Sequence, residues 1–328
     1  MACIDARSAL PSPHRMTNDD RRHLMAPARK RPALLAAIAM VATALCSGRA
    51  HGQSILDGFW GPLYDEDQIE RIPGPDQGEY AGLPITAAAR SVAQTWDPEV
   101  LTLPWLQCRP HPSLYGIRGV GVLRIWEELD PQTLRQTELH TWIQVWEAQR
   151  DIWMDGRPHP PPWAAHTWSG FSVGHWNADV LSVHTDAFKR GWTRRNGLPT
   201  NDKAVFDERY FVDGDILTHI MMISDPEYLS EPLVKSTEYL RLANTVFPSY
   251  PCRSVTEIAR KEGQMPMHFP NQTAVEQDWA VRNHVPIKAA MGGADTMLPN
   301  YQDTMRTMQA NPPLATIEKL EAEQDRSN

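Results

Sequence analysis

Apolar and polar positions alternate in short segments through the middle of the chain, and each segment is bounded by turn residues. Alternation with a period of two is typical of a β-strand that buries one face. Asp155-Gly156 and Asp213-Gly214-Asp215 follow two of these segments and are typical of tight turns. The predicted strands are 120–129, 137–148, 151–154, 171–176, 180–185, 204–212, 216–223 and 233–242.

Strands joined by short turns favour a sheet that closes or stacks, because an open sheet would leave its edges unpaired. We therefore predict a mainly β protein whose core is an antiparallel up-and-down barrel of the calycin or lipocalin type. A β-sandwich is the alternative. The pattern divides the chain into an export signal at 1–52, an irregular lead-in at 53–118, a barrel-like core at 119–254 and a helical or irregular C-terminal extension at 255–328.

The two segments that flank the core lack sustained alternation. In the lead-in, Gly58–Pro62 is predicted to be an aromatic turn, and Ala87–Ala93 a short helix with Thr86 as its N-cap. In the extension, 276–283 and 316–324 have helical patterns. We expect the lead-in to pack across the outside of the core.

The N-terminus has the pattern of a secretory signal peptide. Arg29-Lys30-Arg31 precedes an apolar run from Pro32 to Cys46, and small residues follow at 47–52. The run is too short to cross a bilayer comfortably, so we predict no stable membrane span after the leader is removed. An uncleaved anchor is the alternative. The expected location is the periplasm or the outside of the cell.

Charge and cysteine content narrow the function further. The formal net charge is -8, which argues against nucleic acid as a partner. Two cysteines, Cys108 and Cys252, remain beyond the leader. In an oxidising compartment they could form a disulfide; two separate buried thiols are the alternative. No feature of the sequence fixes the oligomeric state.

The densest cluster of Trp, His, Gly and Pro runs from Trp153 to Trp192 and begins WMDGRPHPPPWAAHTWSGFSVGHWNADVLSVHT. This stretch resembles the signature of large families of exported, uncharacterised proteins from soil bacteria. In that signature Asp-Gly-Arg-Pro-His-Pro precedes Trp-x-Gly-x-Ser-x-Gly-x-Trp and a Gly-Asp-Thr-Leu hairpin. Ala178 and Val180 depart from the hairpin. The resemblance covers most of residues 58–302 and implies an exported, β-rich protein, without transferring an activity.

Histidines are the main candidates for acid–base chemistry because they titrate near neutral pH. We select His159, His166 and His140 as proton carriers, Arg157 to stabilise an oxyanion and Asp155 to orient an imidazole. Asp155 and Arg157 are equally suited to holding a turn together. Converging imidazoles could bind Zn or Cu, but no pair has HxxxH spacing in a helical context. No metal or other cofactor is therefore predicted.

Two functions remain open, both placed at a barrel mouth rimmed by 155–168 and 191–199. The first is binding of a hydrophobic or aromatic small molecule, since Trp offers large contact area with a polar handle. The second is a metal-free lyase, isomerase or hydrolase acting on such a ligand. Packing of the core and edges is the plainer explanation for many of the tryptophans. The predicted ligand-binding residues are Trp142, Trp153, Trp168, His175, Trp176, Arg194 and Arg195.

Overall fold

The structure is a computed structural model that describes most of the chain beyond its first 53 residues. The described residues are 54–64, 70–71, 74–119, 121–144, 148–243, 251–270 and 275–313, with 319 and 322. The predicted export signal at 1–52 lies outside them, and so does nearly all of the predicted helix at 316–324. The described residues belong to one compact unit, His51–Asn328.

Nine of the strands in the described residues form a closed barrel in the order β1-β2-β3-β4-β5-β6-β9-β10-β11, with β11 pairing back to β1. The predicted mainly β class and barrel are confirmed. β7 and β8 form a separate two-stranded ladder. The strands are β1 Gly58–Pro62, β2 Leu123–Leu129, β3 Gln136–Ile143, β4 Ala148–Trp153, β5 Phe171–Asn177, β6 Val180–Asp186, β7 Gly191–Trp192, β8 Pro199–Thr200, β9 Val205–Asp213, β10 Ile216–Ser224 and β11 Leu233–Leu242.

One pair of neighbouring barrel strands is parallel, which departs from a purely antiparallel barrel. Strands cannot alternate in direction all the way round a closed ring of nine, so an odd number of parallel neighbours is required. That pair is β4–β5, in which Ile152 is opposite Ser172. Parallel neighbours need a crossover connection. The proline-rich segment 154–170 is that crossover.

Gly58–Pro62, expected as a turn, is the strand that closes the barrel. Phe59 lies opposite Leu242 of β11 and also opposite Arg124 of β2. Trp60 is fully buried, and its Nε1 donates a hydrogen bond to Leu56 O at 2.8 Å. Gly58 at one end of this five-residue strand and Gly61-Pro62 at the other obscure the alternation of apolar and polar residues. Its strand structure is supplied by the two neighbours.

The barrel interior is a packed core. Large buried side chains from every barrel strand except β5 fill it, and each fully buried one contributes roughly 1.5–3 kcal/mol of transfer free energy. A barrel of about this size is just wide enough for its own side chains. The inward residues include Trp60, Leu123, Ile125, Leu139, Ile152, Leu181, Val183, Phe206, Tyr210, Leu217, Met221 and Tyr239.

Short helices and a disulfide surround the barrel. The predicted N-cap is confirmed, since Thr86 Oγ1 accepts from Ala89 N at 3.2 Å. The predicted helix at 276–283 is confirmed as α4. Cys108 and Cys252 form a disulfide that joins the lead-in to the segment after the last barrel strand. The helices are α1 Ala87–Ala93, α2 Pro104–Gln107, α3 Ser113–Gly116, α4 Val275–Arg282, α5 Ile287–Ala290 and α6 Tyr301–Met305, with 3-10 turns at Pro98–Thr102 and Ala294–Met297.

Candidate functional site

Four of the predicted site residues lie on the outer surface of the barrel rather than at its mouth. Successive side chains of a strand point to opposite faces, and Leu139 and Ile152 point inward. Their neighbours on β3 and β4 therefore point outward, and the same reasoning applies on β5. The four outward residues are His140, Trp142, Trp153 and His175.

Asp155 and Arg157 bind each other at the start of the crossover. Arg157 Nη2 lies 2.6 Å from Asp155 Oδ2. The guanidinium also stacks on the Trp153 ring, with its central carbon 3.3 Å from the ring centroid. Both charged side chains are more than a third exposed. This arrangement holds the turn after β4 and leaves neither group aimed at a cavity.

The other crossover residues fasten it to the outside of the barrel. His159 Nδ1 lies 2.9 Å from Asp186 Oδ1 of β6. His166 Nδ1 lies 2.7 Å from the carbonyl oxygen of Phe188. Trp168 has the Arg109 guanidinium 5.7 Å from its ring centroid. His159 and His166, two of the alternative proton carriers, are therefore held separately, each by its own partner.

Trp176 and Arg194 are also engaged in packing. Trp176 packs against the core, and its Nε1 donates to Gln136 Oε1 at 2.8 Å. Arg194 is buried and donates to both carboxylate oxygens of Glu70, at 2.9 and 2.7 Å. Burial would raise the pKa of Glu70, but Arg194 and Lys235 lower it to about 2. Arg194 thus links the lead-in to the barrel and is not available to a ligand.

Arg195 is the predicted ligand residue that does line a cleft. The cleft has a volume of about 280 Å³ and lies beside the disulfide. Three segments supply its walls: the lead-in, β7 with the loop that follows it, and the segment after β11. Its main lining residues are Trp96, Leu106, His111, Tyr115, Trp192, Arg195, Cys252, Arg253 and Glu257.

Aromatic rings form one wall of this cleft. The rings of Trp96 and Trp192 meet edge to face, with centroids 4.6 Å apart. His111 lies 5.6 Å from Trp192 and 4.9 Å from Tyr115, centroid to centroid. Gly197, at φ +88°, allows this arrangement because a Cβ there would lie 2.3 Å from Trp96 Cβ. The wall is thus fixed by packing before any ligand arrives.

The polar groups of the cleft give it a positive character. Burial lowers the pKa of His111 to about 4, and the positive charges of Arg195 and Arg109 act in the same direction. Burial raises the pKa of Tyr115 to about 12, against the opposing effect of Arg195. His111 and Tyr115 are therefore neutral at pH 7. Among the lining residues the two cations Arg195 and Arg253 outnumber the one carboxylate, Glu257, so the charges of the cleft favour an anionic ligand.

A buried polar network lies inside the barrel, beyond a second cavity of about 20 Å³ that His111 and Arg150 both line. Glu208 is fully buried and accepts from both Arg150 Nη atoms, at 2.6 and 3.1 Å. Tyr210 OH donates to Glu208 Oε1 at 2.6 Å, and His219 Nε2 lies 3.0 Å from the same oxygen. The cavity has room for about one water molecule.

The charges in this network indicate a structural role. Burial would raise the pKa of Glu208, but Arg150 and His219 lower it to about 2. Burial lowers the pKa of His219 and raises that of Tyr210 well above its usual value. At neutral pH the network is a carboxylate–guanidinium pair with a neutral imidazole and a neutral phenol. A carboxylate with so low a pKa is a weak base.

Comparison with known proteins adds no further assignment. The chain matches no family model, and no similar curated protein or solved structure was found for it. Within the residues that the structure describes, no helix has the length and apolar character needed to cross a membrane.

Proposed function

We propose that the protein binds a small aromatic anion, such as a single-ring aromatic carboxylate, in the cleft beside the Cys108–Cys252 disulfide. The observation that carries the proposal is that the same cleft is lined by the aromatic rings of Trp96 and Trp192 and by the cation Arg195. Ring faces and edges suit an aromatic ligand. A guanidinium suits a carboxylate, which it can bind through two parallel hydrogen bonds.

The size of the cleft sets the size of the ligand. Its volume of about 280 Å³ is just below the usual range for pockets that bind drug-sized molecules, roughly 300–1,000 Å³. A one-ring compound therefore fits better than a steroid or a polycyclic molecule. This ligand class keeps the expected aromatic binding function but moves it from the barrel mouth to a cleft outside the barrel.

Export is part of the same proposal. A disulfide between distant segments persists in an oxidising compartment and supports a periplasmic or secreted protein. We also propose that the protein is a member of the exported family that the Trp153–Thr185 stretch resembles. The acid–base alternative has weaker support, because His159 and His166 are held by separate partners outside the cleft.

Calorimetric titration with benzoate and phenylacetate tests the function, with benzamide as the uncharged counterpart of benzoate. We expect the acids to bind and the amide to bind at least tenfold more weakly. Arg195→Gln should weaken binding of the acids by about 10–100-fold, since a hydrogen bond to a charged group contributes about 1.5–3 kcal/mol. The matched control is Arg190→Gln, because Arg190 is 62% exposed and pairs with Asp202.

Two results would contradict the proposal. The first is equal affinity for the acid and its amide, which would show that the cation does not take part. The second is the absence of binding by every aromatic acid at millimolar concentration.

A further inference from the structure

A second candidate site lies on the outer face of β2, β3 and β4, away from the cleft. Glu128 of β2 is directly opposite Glu138 of β3. His140 lies two residues further along β3, on the same face as Glu138, with Asp151 of β4 directly opposite it. The register thus places three carboxylates around one imidazole. We call these four residues the carboxylate–histidine cluster.

His140 is the central residue of the cluster. Although it points outward, its side chain is only 7% exposed, because the ring stacks on Trp126 with centroids 4.9 Å apart. Its Nδ1 lies 2.7 Å from Asp151 Oδ1. Its Nε2 is buried and has no hydrogen-bond partner among the described residues. Because an ionised Asp151 can only accept, Nδ1 is the donor of this contact, and Nε2 is the ring atom left to bind a metal ion.

That nitrogen faces two carboxylates. Nε2 lies 3.4 Å from Glu128 Oε1 and 3.7 Å from Glu138 Oε2. Like charges directly opposite each other on neighbouring strands are destabilising. A bound cation would remove both the repulsion between the carboxylates and the unsatisfied nitrogen.

We propose that Glu128, Glu138 and His140 bind a divalent transition-metal ion, with Zn²⁺ fitting best. Ligand atoms about 2.1 Å from a tetrahedral Zn²⁺ lie about 3.4 Å from one another, which matches the spacing around Nε2. An imidazole ligand favours Zn²⁺ and its transition-metal neighbours over Ca²⁺ or Mg²⁺. Asp151 is the positioning residue, since it fixes the tautomer of the ligating histidine.

The coordination would be incomplete with protein ligands alone. Glu128 is 61% exposed, so this side of the site opens to solvent. Catalytic zinc sites usually have three protein ligands and a fourth position occupied by water, whereas structural zinc sites usually have four protein ligands. We infer that the ion retains an exchangeable water or takes an oxygen ligand from solution.

A second group of metal-binding residue types provides an internal comparison. His159, His184 and Asp186 lie close together on the outer face of β5 and β6. The side chains of His159 and His184 are 27% and 47% exposed. They are thus far more accessible than His140, although His159 Nδ1, which lies 2.9 Å from Asp186 Oδ1, is also a buried atom without a hydrogen bond. If Zn²⁺ binds at the carboxylate–histidine cluster in preference to this second group, the binding is specific and is not the nonspecific binding expected of surface histidines.

The test uses the full chain, freed of metal with chelator and dialysed, and titrated with Zn²⁺ at pH 7. Affinity is measured by calorimetry and by competition with a chromogenic chelator; Co²⁺ substitution reports the coordination geometry through its visible absorption. We expect one tight equivalent and a tetrahedral Co²⁺ spectrum. Glu128→Gln and Glu138→Gln should each weaken Zn²⁺ binding at least tenfold, and Asp151→Asn by about 10–100-fold.

His184→Ala is the control, and it should leave the affinity unchanged. Glu128 is exposed, so its substitution tests the site without disturbing the fold. The proposal is overturned if Glu128→Gln and Glu138→Gln bind Zn²⁺ as the parent does, or if His184→Ala removes the tight site. It is also overturned if the full chain has no tight Zn²⁺ site at pH 7.

Discussion

Replacing Glu208 with Gln leaves the Arg150 charge buried without its partner. The two side chains are 0% and 3% exposed, so water does not screen the remaining guanidinium. Removing one member of a buried ion pair typically costs about 3–5 kcal/mol. The pKa of Glu208, lowered from 4.5 to about 2, independently corresponds to about 3 kcal/mol. We therefore expect Glu208→Gln to lose about 3–4 kcal/mol of unfolding free energy at pH 7.

The pH dependence of this loss has a definite sign. The folded-state pKa of Glu208 is below its unfolded value, so its stabilisation is complete above pH 4.5 and is lost as the pH falls toward 2. The gap in unfolding free energy between the parent and Glu208→Gln should therefore shrink to less than half between pH 7 and pH 3. A protein without this pair would show no such convergence.

Urea denaturation at pH 7 and pH 3, with the disulfide intact, measures both effects. Asp207→Asn is the matched control: Asp207 is the adjacent residue of β9, faces outward and pairs with the exposed His184. It should cost less than about 1 kcal/mol. The reasoning is refuted if Glu208→Gln unfolds within about 1 kcal/mol of the parent at pH 7, or if the gap is the same at both pH values.

Three further perturbations test other parts of the structure. Cys252→Ser removes the cross-link to Cys108, which spans 144 residues. The entropy of closing a loop of that length corresponds to a loss of up to about 5 kcal/mol of unfolding free energy. Calorimetry should show a lower Tm, and an unchanged Tm would contradict the pairing. Gly170→Ala should cost about 3 kcal/mol, because φ is +74° and a Cβ would lie 2.6 Å from a backbone oxygen. Gly156→Ala, at φ +75° with nothing within 4 Å, should cost only about 1 kcal/mol, so equal losses in chemical denaturation would count against the packing. Burial lowers the pKa of His111 to about 4, so the parent should lose about 2 kcal/mol as the pH falls from 6.5 to 4, and His111→Phe should show a flatter Tm profile over that window.

Alternation was sufficient to predict the strands that carry regular inward and outward positions. β9 and β10 show this clearly. Phe206 and Tyr210 point inward from β9, and Leu217 and Met221 point inward from β10, with the members of each pair four positions apart along the strand. Gly58–Pro62 could not be recognised in the same way, because it has one buried residue and depends on its neighbours for pairing. The parallel β4–β5 pair follows from the odd number of strands in the barrel. That number cannot be obtained from the sequence unless Gly58–Pro62 is recognised as a strand.

The sites were harder to predict because residue type does not reveal which side of a barrel wall a residue occupies. The alternation along β9 did give one indication. Glu208 lies between Phe206 and Tyr210 on the inward face, which predicts a buried carboxylate that needs a partner. His140 and Asp151 are opposite one another only through the register of two strands. The sequence did not indicate which histidines meet in space, and the structure holds His159 and His166 of the crossover to different partners on the outside of the barrel.

The measurement that tests the central claim most directly is a titration of the isotopically labelled protein with benzoate, observed through the indole N–H resonances of its tryptophans. Ligand in the cleft should shift the Trp96 and Trp192 signals, assigned from the Trp96→Phe and Trp192→Phe variants, with one binding isotherm. Trp163 is 85% exposed and lies outside the cleft, so its signal should not move. Unchanged Trp96 and Trp192 signals at saturating benzoate, or shifts confined to Trp163, would contradict the assignment of the cleft as the binding site.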